Sequence, residues 1–243
     1  MSKIISYLKN SPFCSNRFGS FQSLPSNPIL KLMILAIHPE NPQERLLDQA
    51  VKVLRQGGVI IYPTDTMYGL GCDINNKKAV DLVCQIKGVN PEKTHLSCVC
   101  ENISIIGTYA SRVEDDIFKM MKRALPGPYT FILKASKKIP RHFQRKKTVG
   151  IRVPDHPIPV ALARLLGNPI ASISLPQDPD NQEANIDPSL IHERFGKQVA
   201  MVIDGGMGNL EASTVIDGSE GIEGLEVIRE GSGSLEKLGL VLE

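Results

Sequence analysis

The segment Pro63-Thr64-Asp65-Thr66-Met67-Tyr68-Gly69-Leu70-Gly71 gathers two hydroxyls, a carboxylate and a phenol within five residues. It follows directly on the apolar run Val59-Ile60-Ile61-Tyr62, which reads as a short buried strand. Ligands in open α/β folds collect at the carboxyl ends of strands, and such a donor and acceptor set suits a small polar substrate. The alternative is a turn held by Thr and Asp side-chain bonds to the backbone, a reading that fits a lone Thr-Asp pair better than four polar groups flanked by glycines. Arg152 sits inside Val149-Gly150-Ile151-Arg152-Val153. A charge in an apolar strand needs a partner or a ligand, and Gly150, Arg152 and Pro154 alternate onto one face. Lys87 closes a helical pattern and Lys93 follows six residues on, so the two supply point charges for phosphate. For Lys87 alone, a lysine opposing the helix dipole is the competing reading. Ser172 and Ser174, Thr214 with Asp217, and Arg229-Glu230-Gly231 close further strands. A glycine after a strand end permits close approach of a ligand. Together these residues predict one rim of hydroxyls, lysines and arginines at strand ends.

Several familiar chemistries are excluded. The chain has no Gly-x-x-x-x-Gly-Lys-Ser/Thr phosphate cradle, and Gly206-Met207-Gly208 lacks the third glycine of a dinucleotide fingerprint. A Gly-x-Ser-x-Gly nucleophile elbow is missing too. The five histidines show no zinc spacing, so no metal held by protein side chains is expected. Cys14, Cys72, Cys84, Cys98 and Cys100 are an odd set without metal-ligand pairing. They indicate a reducing, cytoplasmic setting rather than a disulfide scaffold. Cys98 and Cys100 lie two apart on a strand and share one face, expected to be core. No run approaches the ~18 apolar residues of a membrane helix.

The formal charge of +2 hides a strong asymmetry. Residues 117–154 hold 11 Lys/Arg and no acid, whereas residues 155–243 hold 15 acids against 5 Lys/Arg. The basic stretch attracts polyanions such as nucleotides or RNA. A solvated face complementing the acidic C-terminal third explains the charges equally well, and charge alone does not separate these readings.

The elements that position these groups alternate along the 243 residues, a length that buries a sizeable core. Residues 1–32 are rich in Ser, Asn, Pro and Phe, carry no acid, and read as a disordered extension, or as an over-called start with Met33 the true first residue. A single domain is expected over 34–233, with 234–243 as a tail. Asn41-Pro42 predicts an N-cap and first helical residue, and Gly57-Gly58 a stop. Helices are expected over about 77–86, 104–109, 114–123, 158–166 and 188–195, and strands over 59–62, 96–100, 129–133, 149–153, 169–174, 199–204, 213–217 and 225–229. Strands alternating with helices predict an α/β fold with a twisted, open, mixed parallel and antiparallel sheet and flanking helices. The turn-like link between the last two strands makes them antiparallel.

Six blocks then fall in a recognisable order: Gly57–Gly71, Leu125-Pro126-Gly127-Pro128-Tyr129-Thr130-Phe131, Gly150–Pro157, Ser172-Ile173-Ser174, Ser213–Asp217 and Arg229-Glu230-Gly231. They resemble the YrdC/YciO-like family of threonylcarbamoyl-AMP synthases over about residues 37–233. The resemblance implies a YrdC-like sheet with a basic concavity. It also implies condensation of L-threonine, bicarbonate and ATP into threonylcarbamoyl-AMP and pyrophosphate, on the way to threonylcarbamoyladenosine in tRNA. By carry-over, Thr64, Thr66, Tyr68 and Arg152 would hold threonine, and Lys87, Lys93, Ser172, Ser174, Thr214 and Arg229 the nucleotide. ATP enters with Mg²⁺ as its substrate complex, and no protein nucleophile is implied. The chain departs from the synthase pattern at Val89, where an arginine is usual, and at Leu175-Pro176, where Ala-Asn is usual. These departures resemble the YciO branch. The alternative is a non-catalytic protein that binds double-stranded RNA or a nucleotide on its basic surface.

Overall fold

The computed structural model describes residues 34–91, 94, 96–144 and 147–240. Lys93 and the expected N-terminal extension lie outside the described residues. The strands are β1 (Ile34–Ala36), β2 (Ile60–Tyr62), β3 (Gly69–Asp73), β4 (Ser97–Val99), β5 (Tyr129–Lys134), β6 (Thr148–Arg152), β7 (Ile170–Ser174), β8 (Met201–Asp204), β9 (Thr214–Asp217) and β10 (Glu226–Arg229). They form one sheet in the order β1-β8-β2-β3-β7-β4-β6-β5-β9-β10. β8 runs parallel to β1 and β2, β4 to β6, and β5 to β9. The other neighbours are antiparallel, including β9 with β10. The sheet is therefore mixed, as the alternation of strands with helices and the turn-like link between the last two strands predict.

Helices α1 (Glu44–Arg55), α2 (Lys77–Lys87), α3 (Ile106–Tyr109), α4 (Asp115–Ala124), α5 (Arg141–Gln144), α6 (Pro157–Leu166), α7 (Pro188–Phe195) and α8 (Leu235–Leu238) flank the sheet. Their starts follow local chemistry. Asn76 Oδ1 accepts from Ala79 N at 3.1 Å to open α2, and His156 Nδ1 accepts from Ile158 N at 3.2 Å ahead of the prolines of α6. Gly88 closes α2 with φ +75°, a conformation glycine adopts without steric cost.

Period-two alternation splits the strands between two cores. Ile61, Leu70, Cys98, Phe131, Ile151 and Ile216 face one way and pack with Val83, Met121, Ile191 and Leu238. On the opposite face, Ile60, Tyr62, Ile170 and Ile203 pack with Leu47, Leu54, Ile158 and Leu162 of α1 and α6. This second helical layer covers the β1-β8-β2 end of the sheet. On the remainder of that face, from β3 to β9, glycine, serine, threonine and arginine stand among a few apolar residues such as Val99, Ile132 and Val215.

Three expectations change. Helix α1 begins at Glu44 rather than just after Asn41, because His38 Nδ1 accepts from the Glu40 and Asn41 amides at 3.3 and 3.2 Å and holds them in a turn. The segment read as a C-terminal tail contributes α8, whose Leu235 and Leu238 are buried in the main core. Gly69, Leu70 and Gly71, read as the end of a ligand loop, open β3, which returns antiparallel to β2.

Candidate anion-binding cavity

The uncovered part of the second face holds a cavity of about 310 Å³. Its floor follows from register. Gly71 pairs with Ser172, Ser172 with Ser97, and Ser97 with Gly150, so one row across four strands carries only hydrogen or a hydroxymethyl group. Larger side chains at Ser172, Ser97 or Gly150 would fill the space, whereas the room over Gly71 is taken by Tyr62 and Ile170. Ser174 and Gly69 pair one step further along, and Val99 with Arg152 on the other side. The walls come from Thr64, Thr66 and Met67 after β2, Lys87 at the end of α2, Thr130 and Ile132 on β5, Ser213 and Val215 around β9, and Arg229 on β10. The expected groups thus converge over one sheet face: Arg152, Ser174 and Arg229 are the last residues of β6, β7 and β10, Thr64 and Thr66 follow β2, and Ser172 lies inside β7.

Arg152 is the most tightly held cation. Its Nη2 donates to Asp65 Oδ1 and Thr66 Oγ1, each at 2.6 Å, and to Thr64 Oγ1 at 3.3 Å. The Arg152 and Asp65 side chains are 13% and 9% exposed, so water screens the pair little. Asp65 Oδ2 accepts from Asp155 N at 3.1 Å, tying the β2–β3 loop to the start of α6. Arg152 Nε is buried without a hydrogen-bond partner. Thr64 Oγ1 donates to Met67 O at 2.7 Å and accepts from Thr66 N at 3.1 Å. The turn reading and the binding reading of this loop therefore describe the same atoms: the turn bonds shape the wall.

Lys87 Nζ donates to Leu175 O at 3.0 Å and Ser174 Oγ at 3.3 Å. Burial, and then the charge of Arg229, lower the pKa of its amine. Arg229 donates from Nε and Nη2 to Ser213 O at 3.1 and 2.8 Å, and burial followed by Arg152 lowers its pKa in turn. Three cations therefore share one cavity: Arg152 is paired with Asp65, and Lys87 and Arg229 have no carboxylate partner among the described residues. An anion relieves that repulsion, and a neutral ligand does not.

Tyr68 and Thr214, expected in the site, are not on the cavity wall. The Tyr68 phenol donates to Gly206 O at 2.7 Å and accepts from Gly205 N at 3.3 Å, so it braces the turn after β8 from within the core. Thr214 is fully buried, and its hydroxyl donates to Gly233 O at 2.6 Å and accepts from Gly231 N at 2.9 Å. Alternation on β9 turns its neighbours Ser213 and Val215 to the cavity instead. Lys93 lies outside the described residues. The structure brings Thr64, Thr66, Lys87, Arg152, Ser172, Ser174 and Arg229 together. Ser97, Thr130 and Ser213 join them. Their signal is a hydroxyl at the alternate positions of otherwise apolar strands.

Val89, in the place of the usual arginine, packs against the main core. Leu175 is buried, and Pro176 O accepts from Arg194 Nη2 at 3.3 Å. Cys98 and Cys100 are buried in that core, and burial raises both thiol pKa values, so neither is a ready nucleophile. Among the described residues no cluster of His, Cys, Asp and Glu is arranged to hold a metal ion, and no helix is long and apolar enough to cross a membrane.

The comparisons agree with this architecture. Uncharacterized protein YciO of Escherichia coli K12 is 43% identical over 202 residues, covering 82% of this chain and 96% of that protein. The crystal structure of E. coli YciO superposes with a TM-score of 0.78 at 40% identity, over 85% of this chain and 98% of that one. The threonylcarbamoyl-AMP synthase of Halorhodospira halophila is 32% identical over 174 residues, covering 71% of this chain and 90% of the synthase. P. abyssi Sua5, crystallised with L-threonine, superposes with a TM-score of 0.74 at 27% identity, over 85% of this chain and 59% of that one. Residues 52–231 match the Sua5/YciO/YrdC family, described as "Telomere recombination". With that match spanning most of the chain, from the end of α1 past β10, the protein belongs to the Sua5/YciO/YrdC family.

Proposed function

We propose that the cavity binds ATP beside L-threonine and that the protein catalyses formation of threonylcarbamoyl-AMP. The observation that carries this reading is the convergence of Lys87, Arg152 and Arg229 with serine and threonine hydroxyls in one cavity. Kinship with threonylcarbamoyl-AMP synthases, and with a Sua5 crystallised with L-threonine, supports it.

In this scheme Arg152, with Thr66 beside it, receives the threonine carboxylate. Lys87, Ser172, Ser174 and Arg229 face the phosphate chain, and Mg²⁺ arrives with ATP as part of the substrate. The threonine amine condenses with bicarbonate, releasing water and leaving a carbamate. A carbamate oxygen then attacks the α-phosphorus in line, the bond to the β-phosphate oxygen breaks, and pyrophosphate leaves. Carbamates are short-lived in water, so a recessed floor of small side chains protects the intermediate. Positioning and charge neutralisation carry most of the acceleration in such a transfer, and no protein nucleophile is required.

The test is pyrophosphate release from ATP. We expect it to depend on both threonine and bicarbonate, and to fall at least tenfold in Lys87→Met, which removes a phosphate-facing cation. Release independent of threonine, or unchanged in that variant, overturns the reading. Exposed Lys138, Arg141 and Lys147, outside the cavity lining, favour a second use of the basic stretch as a docking surface for RNA. Filter binding of double-stranded RNA that weakens steeply with salt would support that use.

A further inference from the structure

Tyr62 ends β2 in the core, fully buried, and takes no part in the scheme above. Its phenol oxygen lies 2.6 Å from Ser172 Oγ, and this is the phenol's one hydrogen bond among the described residues. Each partner can in principle donate. If Ser172 donated, the phenol proton would be buried with no acceptor, an unmade bond in a dry place. Tyr62 therefore donates and Ser172 accepts. A serine hydroxyl has one proton, and that of Ser172 is left to point into the cavity that its side chain lines.

The arrangement is built for this contact. A Cβ on Gly69 would sit 3.1 Å from Tyr62 Cζ and 3.2 Å from Ser172 Oγ, and one on Gly71 would sit 2.8 Å from Tyr62 Cε1. Two glycines thus leave the ring room to reach under β3 to β7. Burial pushes the phenol pKa up to about 12, so it keeps its proton at neutral pH. The pattern recurs around the wall. Ser174 Oγ accepts from Lys87 Nζ at 3.3 Å. Ser213 Oγ accepts from Arg229 Nη2 at 3.4 Å and shares a 2.9 Å bond with Thr130, so one proton of that pair is left over whichever donates. Thr64 behaves differently: its proton is spent on Met67 O.

We propose that Tyr62 is a positioning residue that fixes Ser172 as a hydrogen-bond donor, so that this point of the cavity takes an acceptor oxygen of an anion, here a phosphate oxygen of the nucleotide. The donor assignment stands on the Tyr62–Ser172 geometry. The choice of phosphate rests on the nucleotide reading above.

The experiment compares Tyr62→Phe, Ser172→Ala and the double variant by urea unfolding, and by calorimetric titration with ATP and with adenosine. Ser172→Ala strands the buried phenol proton, whereas Tyr62→Phe strands nothing, since Ser172 still faces the cavity. We therefore expect the Ser172→Ala midpoint to fall below that of Tyr62→Phe, and the double variant to regain the Tyr62→Phe value. We also expect Tyr62→Phe to weaken ATP about tenfold, as one charge-assisted bond loses its direction. Adenosine affinity should not change, and the ATP effect should vanish in the Ser172→Ala background. A purely structural tyrosine would not discriminate between the two ligands. Equal ATP affinities for wild type and Tyr62→Phe, or a Tyr62→Phe midpoint at or below that of Ser172→Ala, would overturn the proposal. If the wild type binds no ATP, the nucleotide reading and the phosphate assignment fall together, while the order of midpoints still decides which hydroxyl donates.

Discussion

Replacing Arg152 by methionine removes the guanidinium but keeps much of the stem that packs along β6. Three contacts disappear: Asp65 and Thr66 at 2.6 Å and Thr64 at 3.3 Å. The carboxylate of Asp65, 9% exposed, then stays in place without its counter-charge. Removing one member of a buried pair costs about 3–5 kcal/mol, mostly the penalty of the stranded charge. Asp65 keeps its bond from Asp155 N, and water entering the cavity reaches its neighbours, so the low end applies, about 3 kcal/mol. With a urea slope of about 2–3 kcal/mol per molar, the midpoint falls by roughly 1 M. Adding Asp65→Asn removes the stranded charge, and the double variant should recover about 2 kcal/mol of the loss. Under the proposed function neither variant should bind threonine, because both lack the cation. The double variant is therefore the fold-matched control that separates lost binding from lost structure. A single variant within about 1 kcal/mol of wild type, or strictly additive effects of the two changes, would refute the claim that Arg152 and Asp65 form one buried unit.

Three further outcomes follow from the same structure. Gly71→Ala places a Cβ 2.7 Å from Ile170 Cγ2 and 2.8 Å from Tyr62 Cε1, so thermal unfolding should show a loss of about 1–3 kcal/mol; an unchanged midpoint would mean that β3 and β7 have room to part. Leu238→Ala empties a site 1% exposed and should cost about 2–4 kcal/mol in urea, while no effect would return residues 234–240 to the status of a tail. Lys87 has a folded pKa lowered below its ordinary 10.5, so between the two values the unfolded chain binds more protons and stability rises with pH. The wild type should gain on Lys87→Met as the pH climbs towards 10.5, and a difference in urea midpoints that stays flat with pH would contradict the burial of that amine.

Much of the architecture was legible because it rests on short-range patterns. The apolar runs around Ile61, Ile151 and Val202 announce buried strands, and the spacing of Leu47, Val51 and Leu54 announces the buried face of α1. The apolar spacing over 158–166 announces α6, and the short link before Leu225 forecasts an antiparallel end to the sheet. The site was legible in part. Arg152 stands out as a charge in an apolar strand, and Ser172 and Ser174 as two hydroxyls on one face. Tyr68 and Thr214 misled for one shared reason: a polar side chain next to a ligand loop is equally able to satisfy a backbone group. The phenol of Tyr68 meets Gly205 and Gly206, and the hydroxyl of Thr214 meets Gly231 and Gly233. Composition carries no record of those partners, which lie far along the chain.

By itself, the order of residues determined which segments become strands and helices, which face of each is apolar, and where charge accumulates, since these depend on neighbours within a few positions. Only the tertiary structure decided that α1 and α6 shield one end of a sheet face and leave the other open. Register across β3, β7, β4 and β6 then lines up Gly71, whose missing side chain admits Tyr62, with Ser172, Ser97 and Gly150, which form the floor. That alignment belongs to pairings between residues as much as about a hundred positions apart, for which no local preference codes, and it turns scattered serines and arginines into a single cavity.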